Sequence, residues 1–522
     1  MNLSTILSTL ALEYSPSISN TQNADVKGIS HDSRTIQAGE VFIALSGGSF
    51  DGHTHIDNAI SKGAIAVVGE KDRSGDTVPY IRVANSRLAL AELAAAFYGF
   101  PARKMFVIGV TGTDGKTTTV SLIHHILTSC GIKAGMVSTV NARIGNEVVD
   151  TGFHVTTPEA PMIQHILQKM VEANLTHVVI EATSHGLEQS RVAACYFDLG
   201  VVTNITHEHL DYHGDYDNYL RSKAKLLEGL LHGAIKTEVP TPTAILNQDD
   251  ISYQPLQDII STFSQPIQTK VYGSGKGTHM SAAHIHNLPD GLAFDLVVQG
   301  KQYPVRSKLI GEYNVYNILA AISAVHFGCG INLDTAVRTI DTFYGVPGRM
   351  EHIDLGQDFQ AIVDFAHTPN ALKVALETSR NRTKNRVIAV FGSAGLRDKE
   401  KRRMMAATSM KNADITVITA EDPRTENLDS ILSEMKEEAM ENGGIEGKNL
   451  FIIPDRGEAI KNAVFLAASG DLVIACGKGH EQSMCFGETE YPWDDRIALR
   501  SALASRMGVK GPRMPYLPTQ DQ

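Results

Sequence analysis

The sequence predicts an α/β protein of three domains, built around a central, mostly parallel sheet with helices on both faces. The chain has 522 residues, a length that suggests roughly three or four domains rather than one core. Along its middle, apolar strands alternate with helical segments, as they do in parallel α/β sheets. A glycine-rich turn follows the first of these strands, and a second α/β pattern begins near residue 345. We therefore predict domains at residues 1–101, 102–345 and 346–522.

The N-terminal domain, residues 1–101, has the pattern of a small α/β unit. Two short apolar runs, Val41–Leu45 and Ala64–Val68, predict buried strands. The Ala- and Leu-rich run Leu88–Tyr98 predicts a helix, with Asn85 or Ser86 as its cap. At the start of the chain, apolar residues at helical spacing predict an amphipathic helix rather than a secretion signal, because no basic residue precedes them. These residues are Leu3, Ile6, Leu7 and Leu10.

The central domain, residues 102–345, alternates strands and helices. We predict strands over Phe106–Val110, His177–Glu181 and Gly200–Asn204, and helices over Val120–Leu127 and Met162–Ala173. Ligands of such sheets bind beyond the carboxyl ends of the strands. Three chemical features follow strand ends here: the turn 111–118, Glu181 and the segment Thr206–Gly214.

The C-terminal domain, residues 346–522, repeats the pattern after a hinge predicted at Gly345–Arg349. Its predicted strands are Gln360–Asp364, Arg386–Phe391, Ile415–Thr419 and Asp471–Ala475, with a helix over Lys399–Lys411. This order is typical of a Rossmann-like α/β domain. The turn Gly392–Gly395 follows a strand but lacks the GxGxxG pattern, so dinucleotide binding is not favoured.

Composition and charge exclude several classes of function. The net charge of −11 argues against a nucleic acid or an anionic membrane as partner. No apolar run approaches the roughly 20 residues that a membrane-spanning helix needs. The five cysteines lack paired spacing, which indicates a reducing compartment and not a structural zinc site. We expect a cytoplasmic monomer with no membrane insertion.

The turn after the first central strand is the strongest chemical feature. Backbone N–H groups in such a turn, with the positive end of the following helix, bind phosphate oxygens. Lys116 can place a positive charge on the outer phosphates, and a threonine hydroxyl can bind Mg²⁺. Val110 stands where the full GxxxxGK[ST] pattern has its first glycine, so a tight strand-to-helix turn is the alternative interpretation. The flanking strand and helix favour a nucleotide site.

Acids and histidines near this turn predict a metal site. Glu181 ends an apolar strand, where a charged residue is either a solvated cap or a metal ligand. The segment Thr206–Gly214 contains His207, His209 and His213, which lack the helical spacing of HExxH zinc sites. Beside a phosphate loop, Mg²⁺ bound by a carboxylate, a histidine and phosphate oxygens is favoured over zinc or a structural polar loop.

A lysine lies on the apolar side of the helix predicted over residues 218–231. By three- and four-residue spacing, Lys223 shares a stripe with Leu220, Leu226 and Leu227. A buried lysine is costly unless it is paired or modified. A stem that reaches out to solvent, or a simple ion pair, is the alternative interpretation. Lys225 lies on another face, where we expect it to be solvated.

Together these residues resemble the Mur ligase family over nearly the whole chain, and most closely its MurE type. Enzymes of that type add a diamino acid to UDP-N-acetylmuramoyl-L-alanyl-D-glutamate. The turn is similar to the family's own phosphate loop, which accounts for the missing glycine, although Asp114 stands where asparagine is more usual. The resemblance implies that ATP is bound by Gly112, Thr113, Asp114, Gly115, Lys116, Thr117 and Thr118.

Further segments resemble the family's contacts with the muramoyl substrate. The segments His31–Arg34 and Gly39–Ala44 are similar to its uridine-binding region. Thr156–Pro158 and Ser184–Arg191 look like its contacts with the muramoyl peptide. The implied substrate residues are Ser33, Thr156, Thr157, Ser184, Gln189 and Arg191.

The resemblance also implies the metal ligands and the catalytic residues. Mg²⁺ would be bound by Thr117, Glu181, His209 and Lys223. Lys223 matches the lysine that becomes carbamylated in the family, a change that turns a buried ammonium into an anion able to bind Mg²⁺. The catalytic residues would be Lys116, Glu181, His209 and Lys223. Asn314 and Asn317 match residues near the adenine, and Arg349, Asp364 and His367 match residues that close over ATP.

The site for the amino acid departs from the family's pattern. Glu421–Arg424 occupies the place of the Asp-Asn-Pro-Arg signature of diaminopimelate-adding enzymes. Arg424 is retained and suits a carboxylate, whereas the extra acid at Asp422 favours a terminal ammonium, as in lysine or ornithine. We expect meso-diaminopimelate, with L-lysine and L-ornithine as alternatives. The implied contacts are Arg397, Glu421, Asp422, Pro423, Arg424, Gly477 and Glu481.

The activity implied by the resemblance is a two-step ligation that consumes ATP. The γ-phosphoryl group moves to the D-glutamate carboxylate, and the α-amine of the diamino acid then attacks the acyl phosphate. Two alternatives remain at this point. A folylpolyglutamate synthetase shares the phosphate loop but does not need the Ser33 and Thr156–Pro158 segments. A nucleotide-dependent binding protein would carry out no ligation at all.

Overall fold

The structure, a computed structural model, describes residues 1–10, 24–47, 51–75, 77–149, 156–206, 208, 210–233, 236, 241–288 and 291–521. His207 and His209, considered above as metal ligands, lie outside these residues. The chain divides into two compact units. The first contains residues 1–286, 293–307 and 312–343, and the second contains residues 287–292, 308–311 and 344–522. The domain boundaries at residues 101 and 345 stay predictions.

A small parallel sheet begins the first unit. Its strands, paired in chain order, are β1 (Gly28–Ser30), β2 (Glu40–Ile43), β3 (Ala66–Gly69) and β4 (Tyr80–Arg82). Its helices are α1 (Leu3–Leu7), α2 (Ile56–Ser61) and α3 (Ser86–Phe97). The amphipathic start is confirmed, because all four predicted apolar residues are buried. Asn85 caps α3 by accepting a hydrogen bond from Leu88 N.

In the described residues, an eleven-stranded sheet forms the centre of the predicted nucleotide-binding region. Its strands are β5 (Phe106–Thr111), β6 (Ala134–Val137), β7 (Ala142–Ile144), β8 (Glu147–Val149), β9 (His177–Glu181), β10 (Leu199–Val202), β11 (Thr243–Asn247), β12 (Gln268–Gly273), β13 (Met280–Leu288), β14 (Gly291–Val298) and β15 (Lys301–Ser307). Within the described residues their order is β15-β14-β13-β12-β11-β10-β5-β9-β6-β7-β8. Pairing is parallel from β13 through β6 and antiparallel at β7 and β8. The ends of β5, β9 and β10 therefore meet, as the sequence predicted.

The helices of this region are α4 (Lys116–Ser129), α5 (Ala160–Glu172), α6 (Ser184–Glu188), α7 (Leu210–His213), α8 (Tyr216–Gly233), α9 (Tyr253–Ser261), α10 (Tyr313–Ser323) and α11 (Leu333–Ile340). Three of them, α4, α5 and α8, had been predicted, and they begin and end within four residues of their predicted positions. Helix α4 begins four residues before the predicted Val120, because Gly115 takes a left-handed conformation and starts the helix directly after it. The segment 206–214 is not only a loop, since it contains α7. Strands β6–β8 and β11–β15 had not been predicted, although β14 alternates buried and half-buried residues as a strand does.

The second unit is a separate α/β unit with a six-stranded sheet. Its strands are β16 (Glu351–His352), β17 (Gln360–Asp364), β18 (Val387–Phe391), β19 (Ile415–Ile418), β20 (Leu450–Ile452) and β21 (Leu472–Cys476), in the order β16-β17-β21-β18-β19-β20. Strands β22 (Ser483–Phe486) and β23 (Thr489–Pro492) form a hairpin. The helices are α12 (Pro369–Arg380), α13 (Lys399–Asn412), α14 (Leu428–Glu441), α15 (Arg456–Leu466) and α16 (Asp495–Met507).

Both faces of the six-stranded sheet are buried. Neighbouring residues of one strand, such as Ile362 and Val363, enter different hydrophobic clusters because successive side chains point to opposite faces. Helices cover both clusters, as in a Rossmann-like layer arrangement. The predicted fold class, an α/β protein of three domains, is confirmed. No helix in the described part of the chain is long and apolar enough to cross a membrane.

Candidate active site

The phosphate loop lies between β5 and α4, and two of its glycines are required by close contacts. Gly112 has φ +151°, and a Cβ placed on it would lie 1.9 Å from Thr203 Oγ1. Gly115 has φ +81°, and a Cβ there would lie 2.2 Å from Asn317 Oδ1. Val110, where a full phosphate-loop pattern has glycine, pairs in register with Glu181 inside the sheet. The missing glycine is therefore a strand residue, and the turn begins after it.

Side chains beyond β10 fix the conformation of this loop. Thr203 Oγ1 donates to Asp114 O at 2.7 Å, and Asn204 binds the same residue through Nδ2 to its carbonyl and Oδ1 to its N–H. Thr113 N donates to Asn204 O at 2.7 Å. The Thr113 hydroxyl also lies 3.1 Å from the Tyr219 hydroxyl. The loop is thus held in one shape by groups from the neighbouring strand end and from α8.

A hydroxyl and a carboxylate meet at the start of α4. Thr117 Oγ1 donates to Glu181 Oε1 at 3.0 Å, and Thr139 N donates to Glu181 Oε2 at 3.0 Å. Glu181 is buried, with 1% of its surface exposed, so it is not a solvated strand cap. Among the residues that the structure describes, no group of three or more His, Cys, Asp or Glu could hold a metal ion. Mg²⁺ does not require such a group, because it keeps several waters and binds one or two carboxylates with phosphate oxygens.

Two lysines approach the loop. Lys116 Nζ donates to Thr113 O at 2.7 Å. Lys223 is 2% exposed, its Nζ donates to Gly112 O at 2.6 Å, and its ammonium lies 4.5 Å from the centre of the Tyr219 ring. Burial, and then the positive charge of Lys116, lower the pKa of Lys223 well below its ordinary value. The amine is directed at the loop backbone, so the stem does not carry it out to solvent, whereas Lys225 is partly exposed and pairs with Glu188.

Two buried asparagines of α10 lie beside the same loop. Asn317 Nδ2 donates to Asn314 Oδ1 at 2.8 Å, and Asn317 Oδ1 faces Gly115. This bond fixes which end of the Asn317 amide faces the glycine. The predicted contact of both residues with adenine stays a prediction.

The residues assigned to the muramoyl peptide form one hydrogen-bonded group. Arg191 donates to Thr157 O at 2.8 Å and to Gln189 Oε1 at 2.7 Å, and it pairs with Glu159 at 2.8 Å. Gln189 Nε2 in turn donates to the Tyr212 hydroxyl at 3.1 Å. Burial lowers the pKa of Arg191, and Glu159 opposes this shift. Two hydrogen bonds and an ion pair therefore hold the Arg191 guanidinium in one orientation.

The remaining substrate residues of the first unit lie near strand ends and helix starts. Ser184 is the buried first residue of α6, and the backbone N–H of Thr183 donates to Thr157 Oγ1. Thr156 is half-buried beside Thr157. Ser33 is buried in the turn after β1, where its carbonyl accepts a hydrogen bond from Lys62 Nζ at 2.9 Å.

In the second unit, the predicted nucleotide residues cluster at the end of β17. Asp364 accepts hydrogen bonds from the N–H groups of Met350 and Ala366, at 2.7 and 2.8 Å. The Arg349 guanidinium lies 4.4 Å from the centre of the Phe365 ring. Burial raises the pKa of Asp364, while burial and nearby cations lower the pKa of His367 to about 3. His367 is therefore neutral at physiological pH.

The signature 421–424 follows β19 and is mostly buried. Asp422 Oδ2 lies 2.8 Å from Lys478 Nζ, and Asp422 Oδ1 accepts a hydrogen bond from Cys485 N at 2.9 Å. Burial raises the pKa of Glu421 from 4.5 to about 7, against the opposing effect of nearby cations. A Cβ on Gly477 would lie 2.0 Å from Glu421 Oε2, so only glycine fits there. Arg397 lies on an exposed turn before α13.

Comparison with known proteins identifies the family to which the chain belongs. Models of the Mur ligase family, catalytic domain, the Mur ligase middle domain and the Mur ligase, glutamate ligase domain match residues 25–98, 110–325 and 348–479. The chain is 40% identical to the UDP-N-acetylmuramyl-tripeptide synthetase of Roseiflexus sp. (strain RS-1), over 92% of this chain and 95% of that protein. The chain belongs to the Mur ligase family.

Further comparisons show which members of the family this Mur ligase resembles. It is 39% identical to the UDP-N-acetylmuramoyl-L-alanyl-D-glutamate–2,6-diaminopimelate ligase of Geobacillus kaustophilus (strain HTA426), over 93% of this chain and 96% of that protein. A solved structure of a ligase with the same name aligns at a TM-score of 0.67 and 28% identity, covering 97% of this chain and all of that one. A folylpolyglutamate synthase of Mycobacterium tuberculosis aligns at a TM-score of 0.62 with 14% identity, over 81% of this chain and 96% of that one, a likeness of fold alone.

Sequence reasoning missed several residues that shape the sites of this Mur ligase. They are Glu159, Thr203, Asn204, Tyr212, Tyr219, Arg456 and Lys478. A signal existed for some of them: Thr203 and Asn204 end the strand predicted over Gly200–Asn204, which in the structure ends at Val202, and Lys478 lies inside the segment Gly477–Glu481. Tyr219 lies four residues before Lys223, so helical spacing could have shown that the two residues share one face of the helix.

Proposed function

We propose that this Mur ligase is an ATP-dependent amide ligase that adds meso-2,6-diaminopimelate to UDP-N-acetylmuramoyl-L-alanyl-D-glutamate. The observation that carries this proposal is the 39% identity, over 93% of the chain, to a ligase named for that reaction. The buried Thr117–Glu181 pair beside the glycine-containing phosphate loop also supports this proposal. Phosphoryl transfer needs groups that position the phosphates and bind a metal ion. L-Lysine and L-ornithine are the competing diamino acids.

The loop fits the phosphates of ATP. Gly112 and Gly115 have no side chains, so phosphate oxygens can approach the loop backbone closely. Helix α4 begins at Lys116, and its positive N-terminal end lies at the loop. The Lys116 ammonium supplies a charge for the outer phosphates. Hydrogen bonds from Thr203 and Asn204 hold the loop before the nucleotide binds, which reduces the entropy lost on binding.

The donor set fits Mg²⁺ better than zinc. The Thr117 hydroxyl and the Glu181 carboxylate are hard oxygen ligands, whereas zinc prefers histidine and cysteine. When bound, Mg²⁺ neutralises charge on the phosphoryl group during transfer. We propose that His209 and a carbamylated Lys223 complete the ligands. Burial and Lys116 lower the pKa of Lys223, which favours the neutral amine that reacts with CO₂.

The chemistry is activation of a carboxylate followed by amide formation. The γ-phosphoryl group of ATP moves to the D-glutamate carboxylate, and the resulting acyl phosphate contains a good leaving group. The α-amine of the diamino acid attacks this carbonyl, and the tetrahedral intermediate collapses to amide and phosphate. The chain contributes mainly position and charge. Arg191, oriented by Thr157, Gln189 and Glu159, is the group we assign to a substrate carboxylate.

We also propose that the enzyme works in the cytoplasm as a monomer. All five cysteines are free, as expected in a reducing compartment. Light scattering on the purified protein tests the monomer, and a dimer mass would contradict it.

The roles of Arg349, Asp364 and His367 in nucleotide binding stay predictions.

Phosphate release by the purified protein tests the proposed function. Reactions contain ATP, Mg²⁺, UDP-N-acetylmuramoyl-L-alanyl-D-glutamate and one of diaminopimelate, lysine or ornithine. We expect release only when both the muramoyl peptide and a diamino acid are present, and fastest with diaminopimelate. Equal release with ATP alone would contradict ligation and favour a nucleotide-dependent binding protein. Release that needs a folate substrate instead would favour a folylpolyglutamate synthetase.

A further inference from the structure

A buried lysine holds two acids of the predicted amino-acid site together. Lys478 Nζ lies 2.8 Å from Asp422 Oδ2 and 2.5 Å from Glu481 Oε2. The Lys478 side chain is 0% exposed. Burial alone would lower its pKa, but Glu481 and Asp422 outweigh burial and raise the pKa of Lys478, so the ammonium stays charged. One cation therefore compensates two carboxylates.

The second oxygen of Asp422 is also used within the protein. It accepts a hydrogen bond from Cys485 N, and the backbone of Arg424 exchanges hydrogen bonds with Cys485 O and Gly487 N, at 3.1 and 2.7 Å. Residues 422–424 thus lie along the edge of β22. Both Asp422 and Arg424 have positive φ, of 41° and 54°, a conformation that these contacts must maintain. These contacts therefore hold the carboxylate of Asp422 in a fixed position.

Charges of both signs surround these residues. The acids are Glu421, Asp422, Glu481 and Glu490, and the cations are Lys401, Arg424 and Lys478. Burial raises the pKa of Glu421 to about 7, so this acid is only partly ionised near neutral pH. Arg456 faces Glu421 as well, but Asp495 compensates it. Because Lys478 Nζ and Cys485 N bind the two oxygens of Asp422, this acid is not available to a ligand ammonium, whereas Arg424 provides a positive group for a carboxylate. A distal end with both a carboxylate and an ammonium, as in diaminopimelate, suits this arrangement better than a lone ammonium does.

We propose that Lys478 is the positioning residue that determines which diamino acid is used: by compensating Asp422 and Glu481, it makes the site select a zwitterionic distal end over the single ammonium of lysine or ornithine. The proposal rests on the ligase function proposed above. Asp422 then does not favour lysine, because Lys478 compensates its charge.

Three variants test this role through a ratio of rates. Lys478→Met leaves two acids uncompensated, and we expect the ratio of kcat/KM for diaminopimelate to that for lysine to fall by roughly tenfold or more. Asp422→Asn removes one acid and keeps the lysine, so the ratio should not fall. The double variant removes one charge of each sign and should return the ratio toward the wild-type value. Lys461→Met, which breaks an exposed pair with Glu458, is the matched control and should leave the ratio unchanged.

The outcomes separate this role from a merely structural one. A loss of stability lowers all rates together, whereas the proposed role changes their ratio and is reversed in the double variant. A wild-type enzyme that prefers lysine or ornithine, and loses this preference in Asp422→Asn, would overturn the proposal while leaving the ligase intact. An unchanged ratio in Lys478→Met would also overturn it. If Lys478→Met does not fold, a fall of the ratio below the wild-type value in Asp422→Asn overturns the proposal instead. No phosphate release with any diamino acid would instead refute the ligase function.

Discussion

Replacing Asp495 by asparagine breaks a buried ion pair beneath the predicted amino-acid site. Arg456 donates two hydrogen bonds of 2.7 Å to the Asp495 carboxylate, and both side chains are 0% exposed. The same guanidinium donates to the carbonyls of Ala420 and Cys476, the residues just before Glu421 and Gly477. The pair therefore joins the ends of two strands that lead into the site.

The expected cost follows from this burial. Asp495→Asn leaves the Arg456 guanidinium charged and buried without its partner, and removing one partner of a buried pair costs about 3–5 kcal/mol. Arg456→Met should cost a similar amount. The double variant should lose clearly less than the two single losses together, because it leaves neither charge unpaired.

Urea unfolding measures these losses. Trp493 is the chain's single tryptophan, it is 2% exposed, and its Nε1 donates to Asp495 at 2.8 Å, so its fluorescence reports unfolding of the second unit. The control is Glu458→Gln, which breaks the exposed pair with Lys461 and should change the unfolding free energy by less than about 1 kcal/mol. A loss under about 1 kcal/mol in Asp495→Asn, or fully additive losses in the double variant, would show that Arg456 and Asp495 do not compensate each other's buried charge.

Three further predictions concern the loop, the buried lysine and pH. Gly112→Ala places a Cβ 1.9 Å from Thr203 Oγ1 and should weaken ATP binding by roughly tenfold or more in calorimetry; unchanged affinity would contradict the close contact. Lys223→Ala should abolish most phosphate release and Lys225→Ala should not, and full activity without bicarbonate would count against carbamylation. Burial raises the pKa of Glu421 to about 7, so the folded chain keeps a proton that the unfolded chain releases, and the unfolding free energy should fall between about pH 5 and pH 7. Glu421→Gln should reduce this fall, and an identical fall in both proteins would refute the assignment.

Much of the fold could be predicted because local patterns and long-range pairing agree. The run His177–Glu181 is apolar and ends in one charged residue, and β9 has those limits. Helix α4 was predicted too short, since its first turn is made of the polar loop residues from Lys116 onward, which show no apolar period. Among the strands that were not predicted, β13 and β15 are partly exposed and carry weaker apolar patterns than central strands. The buried strands β6 and β11 are short apolar runs, which periodicity alone does not distinguish from helix.

For the site, sequence patterns named the chemical groups but not their partners. The spacing of Lys223 predicted a buried amine, and the structure shows that amine donating to Gly112 O. No spacing rule could show that Tyr219 meets Thr113, residues that lie 106 positions apart in the chain. At position 422 the sequence favoured a free acid for an ammonium, and the tertiary structure instead pairs that acid with Lys478, 56 positions away.

The α/β class, the phosphate turn and the family could be predicted from the sequence, because strand and helix periods and the Gly-Lys-Thr order are local properties of the chain. Which charges compensate each other became clear from the folded chain and not from the sequence. Electrostatic pairing depends on distance and burial, and these are set when remote strands bring their ends together. Asp422 and Lys478, remote in sequence and 2.8 Å apart in the fold, show that a charge counted in the sequence need not be a charge presented to the substrate.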